Sequence, residues 1–172
     1  MFEYFDYDAI MVLTRAQKWS RILRYDSVYP ELLLLSIMSE KLGIAFRALK
    51  SLGLSEEKVR AEVIRRLGTG QCNTFDELPF SRSAKCVIEL AAQIGSKRVG
   101  TDHLLLAMIE DNTCSVPAIL QTLGVDQELL RSRIAQLRQT EEIGEEPIIM
   151  PAINPMLPTI IRMLAWFLWK IR

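Results

Sequence analysis

The sequence predicts an all-α fold of two tandem four-helix repeats, about eight helices related by a pseudo-two-fold axis, with a further amphipathic helix at the C-terminus. Three observations support this prediction. The second half of the chain repeats the first, apolar residues recur at the spacing of buried helix faces, and proline and glycine stand where helices begin and end. With 172 residues, 49% of them hydrophobic, the chain is long enough to build one core and carry an extension.

The internal duplication is visible when the chain is aligned with itself at a shift of 71 residues. The segment ELLLLSIMSEKLGIAFRALKSLGLSEEKVR (31–60) then falls on DHLLLAMIEDNTCSVPAILQTLGVDQELLR (102–131). This self-similarity indicates a duplicated unit of about 65 residues. The identical pairs are Leu33/Leu104, Leu34/Leu105, Leu35/Leu106, Leu49/Leu120, Leu52/Leu123, Gly53/Gly124, Glu57/Glu128 and Arg60/Arg131.

The repeat boundaries follow from the flanking residues. FDYDA (5–9) aligns with FSRSA (80–84) at a shift of 75, so the second copy lacks four residues between its first and second helices. The connector GTGQCNTFDELP (68–79) is polar and rich in turn-forming residues. We therefore expect repeat one over residues 1–68 and repeat two over residues 79–138.

The first and fourth helices of each repeat have recognisable starts. Asp6 and Ser81 are suitable N-caps for the first helices, and Ser55 and Asp126 for the fourth, because their side-chain oxygens can accept unpaired backbone N–H groups. In repeat two the first helix should end at Gly95. The buried face expected in the first helix of repeat one consists of Ala9, Val12, Leu13, Ala16, Trp19 and Leu23.

The second and third helices are marked by proline, threonine and glycine. Pro30 suits the first turn of the second helix in repeat one, and Thr101 is the expected N-cap in repeat two. Both helices are rich in leucine and should be buried. The third helices should end before Gly53 and Gly124, where glycine can adopt the left-handed conformation.

Composition excludes several classes of function. Lys plus Arg and Asp plus Glu both total 21, so bulk charge does not point to nucleic acid. Cys72, Cys86 and Cys114 are odd in number and lack metal-ligand spacing, which favours reduced thiols and no metal or other cofactor. The start MFEYFDYDAI has neither a secretory nor a transit composition, so the expected compartment is the cytoplasm, or the plastid stroma if the chain is organelle-encoded.

After the double repeat domain, expected over residues 1–138, the composition changes. Residues 139–157 are acidic and proline-rich, which predicts a linker, and the spacing of apolar residues predicts a cationic amphipathic helix over residues 158–172. This tail is too short to span a membrane, so it should lie at a membrane surface, in a groove of this domain or of a partner, or against a second chain in a homodimer. The residues expected to make that contact are Ile160, Leu164, Trp166, Phe167, Leu168, Trp169 and Ile171.

The single histidine, His103, follows an aspartate but does not form a catalytic pair with it. Neighbouring residues on a helix point about 100° apart, so Asp102 cannot orient the imidazole as a catalytic acid does. A metal site would need further ligands. We therefore expect a structural His103 and treat a hydrolase centred on it as the weakest hypothesis.

Four segments of the chain together resemble the amino-terminal repeat domain of Clp ATPases, especially the ClpC type. These segments are FDYDAIMVLTRAQ, FSRSAKCVIELA, GTDHLLLAMI and ILQTLGVD. The resemblance covers residues 1 to about 138. No GxxxxGK[ST] motif occurs, so no ATPase is expected. The chain resembles free-standing members such as the ClpT accessory proteins of plastid Clp proteases, which implies a non-catalytic accessory, adaptor or regulator. The alternative is a peripheral membrane protein that places Clp-like recognition at a membrane surface through its tail.

The resemblance also implies partners and site residues. Partners would be Clp ATPase or peptidase subunits and client proteins, with no nucleic acid. In some ClpC-type domains the glutamate of G-T-E-H helps to bind phosphoarginine on substrates, and by position this residue is Glu31 in repeat one and Asp102 in repeat two. Both also suit the positive end of a helix dipole. Leu52-Gly53-Leu54 resembles a protease-docking tripeptide, but its position favours a helix end.

Overall fold

The computed structural model describes residues 4–72, 78–96, 98–111 and 113–144, with side chains described up to residue 141, and within these residues it contains eight helices. The predicted all-α fold with two four-helix repeats is confirmed. Repeat one contributes α1 (Tyr7–Ile22), α2 (Pro30–Glu40), α3 (Gly43–Ser51) and α4 (Glu56–Leu67). Repeat two contributes α5 (Arg82–Gly95), α6 (Thr101–Glu110), α7 (Val116–Thr122) and α8 (Gln127–Gly144).

The predicted caps are in place at α1, α4, α5 and α8. Asp6 Oδ1 accepts the Ala9 N–H at 2.8 Å, and the Ser55 and Ser81 hydroxyls accept the corresponding N–H groups of their own helices. Asp126 Oδ1 accepts two N–H groups at the start of α8, at 2.8 and 3.0 Å. These side chains satisfy backbone donors that a helix leaves unpaired in its first turn.

Two expected boundaries are wrong. The N-cap of α6 is Gly100, and Thr101 is the first residue of the helix. The Thr101 hydroxyl instead accepts the N–H of Ala45 at 3.3 Å, so it satisfies a donor of α3 and not one of its own helix.

The second wrong boundary is the end of the repeat domain. The last helix, α8, continues to Gly144, so residues 139–144 are helical and not part of the linker. No proline occurs between the start of α8 at Gln127 and Pro147, so none interrupts the helix there. The rest of the expected linker and the tail helix lie outside the described residues.

The two repeats share one core because their helices interlock. The leucine-rich α2 and α6 are central, and Leu32–Leu35, Leu104 and Leu105 are fully buried. α3 packs against α6 and α8, and α7 packs in the same way against α2 and α4. Each third helix therefore lies on the second and fourth helices of the other repeat, as a pseudo-two-fold arrangement requires.

Two pairs of main-chain bonds fasten the start of each repeat to the other repeat. Asp6 N–H donates to Val99 O at 3.0 Å, and Val99 N–H donates to Tyr4 O at 2.7 Å. The equivalent contacts join Val28 to residues 79 and 81 at 2.8 and 3.0 Å. The N-cap of α1 thus lies beside the start of α6, and the N-cap of α5 beside the start of α2. This crossing builds the candidate sites.

Candidate functional site

A cleft of about 270 Å³ lies at the start of α6, and we call it the second-repeat cleft. Residues of both repeats line this cleft. Repeat one contributes the N-cap of α1 and Ile44 of α3, and repeat two contributes residues of α6 and α8. The charged and polar lining consists of Asp6, Arg98, Asp102, His103, Arg138 and Glu141. The cleft is therefore lined by both carboxylates and guanidinium groups.

Gly100 allows two carboxylates to share this cleft. A Cβ atom at residue 100 would lie 2.5 Å from Asp102 Oδ1 and 3.0 Å from Asp6 Oδ2. The backbone of Gly100 has a φ of −96°, which any residue can adopt. The requirement for glycine is therefore one of space between the carboxylates and not of backbone conformation.

His103 fixes the first turn of α6. Its Nδ1 accepts the N–H of Gly100 at 3.0 Å, and the same nitrogen lies 3.2 Å from Asp102 Oδ1. While the ring is neutral, Nδ1 accepts the Gly100 N–H and has no proton to donate to Asp102, so only the protonated ring can pair with this carboxylate. Within the described ranges there is no cluster of three metal-ligating side chains. Through its bond to the Gly100 N–H, His103 takes part in the cap of α6.

Asp102 is 4% exposed and is held by an arginine from the end of the domain. Arg138 Nε on α8 donates a hydrogen bond to Asp102 Oδ2. Burial by itself would raise the pKa of Asp102, but His103 and Arg138 outweigh burial and hold the pKa below its usual value. Since guanidinium is always charged at neutral pH, Arg138 supplies the permanent part of this stabilisation.

Asp6 has the opposite tendency. Burial raises the pKa of Asp6, the neighbouring charges of Asp8 and Asp102 raise it further, and the Ala9 N–H and Arg98 oppose the rise. Two carboxylates close to Gly100 thus differ in acidity, so that Asp102 is the more firmly ionised of the two.

Glu31, at the equivalent position of repeat one, has a different environment. It is 5% exposed, and its Oε1 accepts the Ser115 hydroxyl at 2.5 Å and the Ser115 N–H at 3.2 Å. Its Oε2 is buried and has no hydrogen-bond partner among the described residues. Ser115 is the N-cap residue of α7, so this bond joins the second helix of one repeat to the third helix of the other.

The two predicted carboxylates therefore lie in separate, pseudo-equivalent settings that differ in their partners. Aligned at the shift of 71, Arg138 corresponds to Leu67 and Ser115 to Ile44, while Asp6 corresponds to Ser81 at the upstream shift of 75. Sequence reasoning did not identify Arg138 or Arg98 as lining residues, and it treated Asp6 only as a cap. The signal available was the presence of the charged Arg138 and Asp6 where the other repeat has the neutral Leu67 and Ser81.

Two other sequence features have structural roles. Gly53 has a φ of +81° and follows Leu52, the C-cap of α3, and Leu54 is 5% exposed, so Leu52-Gly53-Leu54 is a helix end that Leu54 anchors in the core. Cys114 is partly buried, and burial is the main cause that raises the pKa of its thiol to about 11. The thiol donates to the carbonyl oxygens of Met108 and Asp111 at 3.3 and 3.4 Å.

The tail residues predicted to contact a membrane or a partner, from Ile160 to Ile171, lie outside the described residues. Within the described part of the chain, none of the helices combines the length and the apolar character that crossing a membrane requires.

Comparison with known proteins agrees with the duplicated architecture. The sequence profile of the Clp repeat (R) N-terminal domain matches residues 5–98 and 89–157. A ClpA homolog described as an ATP-dependent Clp protease ATP-binding subunit from Cyanidium caldarium is 35% identical over 164 residues, which are 93% of this chain and 19% of that protein. The chloroplastic chaperone protein ClpC1 of Oryza sativa subsp. japonica is 35% identical over 150 residues, 84% of this chain and 16% of that protein. The chain thus spans less than a fifth of the length of these relatives.

Solved structures show the same fold. The N-terminal domain of the chaperone ClpD from Arabidopsis thaliana superposes with a TM-score of 0.65 at 25% identity, covering 80% of this chain and 99% of that domain. The Hsp104 N-terminal domain from Candida albicans gives a TM-score of 0.66 at 22% identity, covering 78% of this chain and 91% of that domain.

Proposed function

Because the chain belongs to the Clp repeat (R) N-terminal domain family, we propose that it acts by protein binding, as a non-catalytic accessory, adaptor or regulator of a ClpC/ClpP-type chaperone-protease. The observation that carries this proposal is the match of both interlocked repeats to the N-terminal region of Clp ATP-binding subunits. The two halves share one core, so we infer that they act as a single binding unit.

We place client or partner contacts at the starts of α2 and α6, where Glu31 and Asp102 lie. A carboxylate can bind a guanidinium group through two parallel hydrogen bonds. The arginine residues in the second-repeat cleft could in turn bind an anionic group attached to that guanidinium, as in phosphoarginine. The proposed ligand is therefore a guanidinium-bearing segment of a client or partner protein.

The compartment that fits this role is the plastid stroma or the cytoplasm. Several of the relatives are named chloroplastic, which supports the stroma. In either compartment the proposed partners are Clp ATPase and peptidase subunits.

A pull-down from native lysate tests the proposal. Tagged chain 1–172 and a version that ends at Gly144 are compared, since α8 ends there. We expect both to capture Clp ATPase or peptidase subunits, identified by mass spectrometry, if the repeats supply the binding surface. Capture of neither class by the full chain, in repeated experiments at low salt, would reject the role.

The alternative function is that of a peripheral membrane protein, and the composition of residues 158–172 favours it. This segment combines Arg162, Lys170 and Arg172 with several large apolar residues. Flotation with anionic liposomes should then carry the full chain but not the chain that ends at Gly144. Equal behaviour of the two would eliminate this alternative.

A further inference from the structure

We propose that Arg138 is an internal guanidinium that occupies the Asp102 carboxylate, so that the second-repeat cleft binds a guanidinium from another protein only when Arg138 moves away. This inference rests on the proposed function, because it concerns the same binding site. It makes Arg138 the residue that determines when, and how tightly, this cleft accepts a cationic ligand.

The geometry of the pair supports this role. Asp102 is 4% exposed, and its Oδ2 already accepts the hydrogen bond from Arg138 Nε. The side chain of Arg138 is 31% exposed and lines the same cleft, so an incoming ligand reaches the pair from the solvent side. Because Asp102 is almost fully buried and Arg138 lines the same cleft, a second guanidinium that approaches through the cleft competes with Arg138 for the acceptor positions of this carboxylate.

The electrostatics of the cleft explain why Arg138 must be exchanged and cannot simply leave. Asp102 and the N-cap carboxylate of Asp6 both border Gly100, so an unpaired Asp102 would be a buried anion beside another acidic group. Such a group is strongly destabilising unless a cation replaces the lost partner. Departure of Arg138 is therefore favourable only when another cation enters, which is the behaviour of an exchange site.

The end of α8 provides the movement that exchange requires. Glu141, one turn after Arg138, pairs with Arg47 of α3, and these two side chains are 42% and 45% exposed. An ion pair so exposed contributes little to stability. Release of the residues after Leu137, which packs against the core, therefore breaks one weak pair and the Arg138 contact.

Repeat one has no arginine at the position equivalent to Arg138. The position that corresponds to Arg138 is Leu67, a partly buried residue packed against the core. Glu31 accepts from the neutral donors of Ser115, and none of the described residues forms an ion pair with it. The chain is thus asymmetric, with an internal arginine competing for the carboxylate of only one of its two repeats.

Binding of a small guanidinium probe tests the inference. The full chain and its Arg138→Gln variant are titrated with Nα-acetyl-arginine amide, and the backbone amide resonances of residues 100–104 are followed by NMR. We expect the variant to bind roughly tenfold more tightly, because the apparent dissociation constant no longer includes the displacement of Arg138. Nα-acetyl-lysine amide, which cannot form the bidentate contact, should bind more weakly to both chains.

The matched control is Arg133→Gln, which removes an exposed arginine from the same helix. Arg133 bonds to Ser51 and not to Asp102. It should bind the probe like the unmodified chain. If Arg138→Gln unfolds, Arg138→Lys serves in its place, since lysine keeps the charge but not the planar fork, and it should bind the probe with intermediate affinity.

A second measurement does not depend on the ligand. The Nε–H resonance of Arg138 should be protected from solvent exchange in the full chain, and Asp102→Asn should remove that protection. Absence of protection in the unmodified chain overturns the inference.

The remaining outcomes separate the inference from the proposed function. Equal affinity of the unmodified and Arg138→Gln chains overturns the inference but leaves guanidinium binding intact. No probe-dependent change at residues 100–104 in either chain also overturns it. In that case capture of Clp subunits in the pull-down would still support the accessory role.

Discussion

The hydroxyl of Ser115 donates a 2.5 Å hydrogen bond to Glu31 Oε1 and so joins the start of α7 in repeat two to the start of α2 in repeat one. Glu31 is 5% exposed, and Ser115 N–H is the other donor to the same oxygen. A bond between residues separated by 84 positions in a shared core ties the stability of one repeat to the other. Loss of this bond should consequently be felt in a single cooperative transition.

Ser115→Ala should reduce the free energy of unfolding by about 1–3 kcal/mol, because it leaves a buried carboxylate with one donor fewer. Urea denaturation followed by circular dichroism measures the change. The matched control is Thr113→Ala, where an exposed hydroxyl bonds to Asp111, and its effect should stay within about 0.5 kcal/mol. Equal losses for the two variants would contradict the importance given to the contact between the repeats.

Gly100→Ala should destabilise the fold by about 1–3 kcal/mol through steric overlap, because the new Cβ would lie 2.5 Å from Asp102 Oδ1. The control is Gly53→Ala, where no atom lies within 4 Å of the new Cβ but φ is +81°. That variant should lose roughly 1–2 kcal/mol from backbone conformation alone.

A double-mutant cycle separates the two causes in thermal or urea unfolding. Asp102→Ala removes the nearest clashing atom, so the loss caused by Gly100→Ala should be smaller in the Asp102→Ala background. The loss caused by Gly53→Ala should be the same in both backgrounds. A loss at Gly100 that does not depend on Asp102 would show that crowding by this carboxylate is not the reason for glycine.

The sequence predicts the fold far better than the site, and the reason is the range of the interactions. Helix starts at Asp6, Ser81 and Asp126 depend on bonds within three residues, so a local pattern identifies them. The start of α6 was misplaced by one residue because Thr101 bonds to Ala45, 56 positions away, and not to its own helix. Local propensity contains no information about such a partner.

The candidate site shows the same division. The resemblance to ClpC-type domains, carried over by position, predicted Glu31 and Asp102, but it did not predict their different partners. Whether a carboxylate meets Ser115 or Arg138 depends on how the repeats interlock, and the pattern of a single helix does not specify that contact. Only the departures from the repeat, such as Arg138 opposite Leu67, point to the asymmetry.

Cys86 and Cys114 should differ in the rate at which iodoacetamide modifies them near neutral pH. Cys86 is exposed, whereas burial raises the pKa of Cys114 to about 11. Because the thiolate is the nucleophile, Cys114 should react at least about tenfold more slowly than Cys86 in the folded chain. Peptide mass spectrometry at timed intervals measures both rates, and the same reaction in urea is the control in which the difference should disappear. Faster modification of Cys114 than of Cys86 in the folded chain would contradict the burial of this thiol.

The two acidic groups beside Gly100 should affect the pH dependence of stability with opposite signs. The pKa of Asp102 is lowered in the folded state, so Asp102 contributes stability that is present above its unfolded pKa and is lost as the pH falls through the folded value. The pKa of Asp6 is raised, mainly by burial, so the folded state binds that proton more tightly and stability falls as the pH rises from the unfolded to the folded value. Asp102→Asn should therefore lower the free energy of unfolding near pH 7, and its effect should diminish as the pH falls through the folded-state pKa of Asp102.

Asp6→Asn is the matched variant, because asparagine caps a helix about as well as aspartate and removes only the ionisation. It should leave the stability near pH 7 unchanged or raised, and it should remove the part of the profile that falls above about pH 4. Urea unfolding of the unmodified chain and both variants between about pH 2 and pH 7 measures these profiles. Parallel profiles for the two variants would contradict the opposite environments assigned to the two carboxylates, since equal slopes require equal shifts in proton affinity on folding.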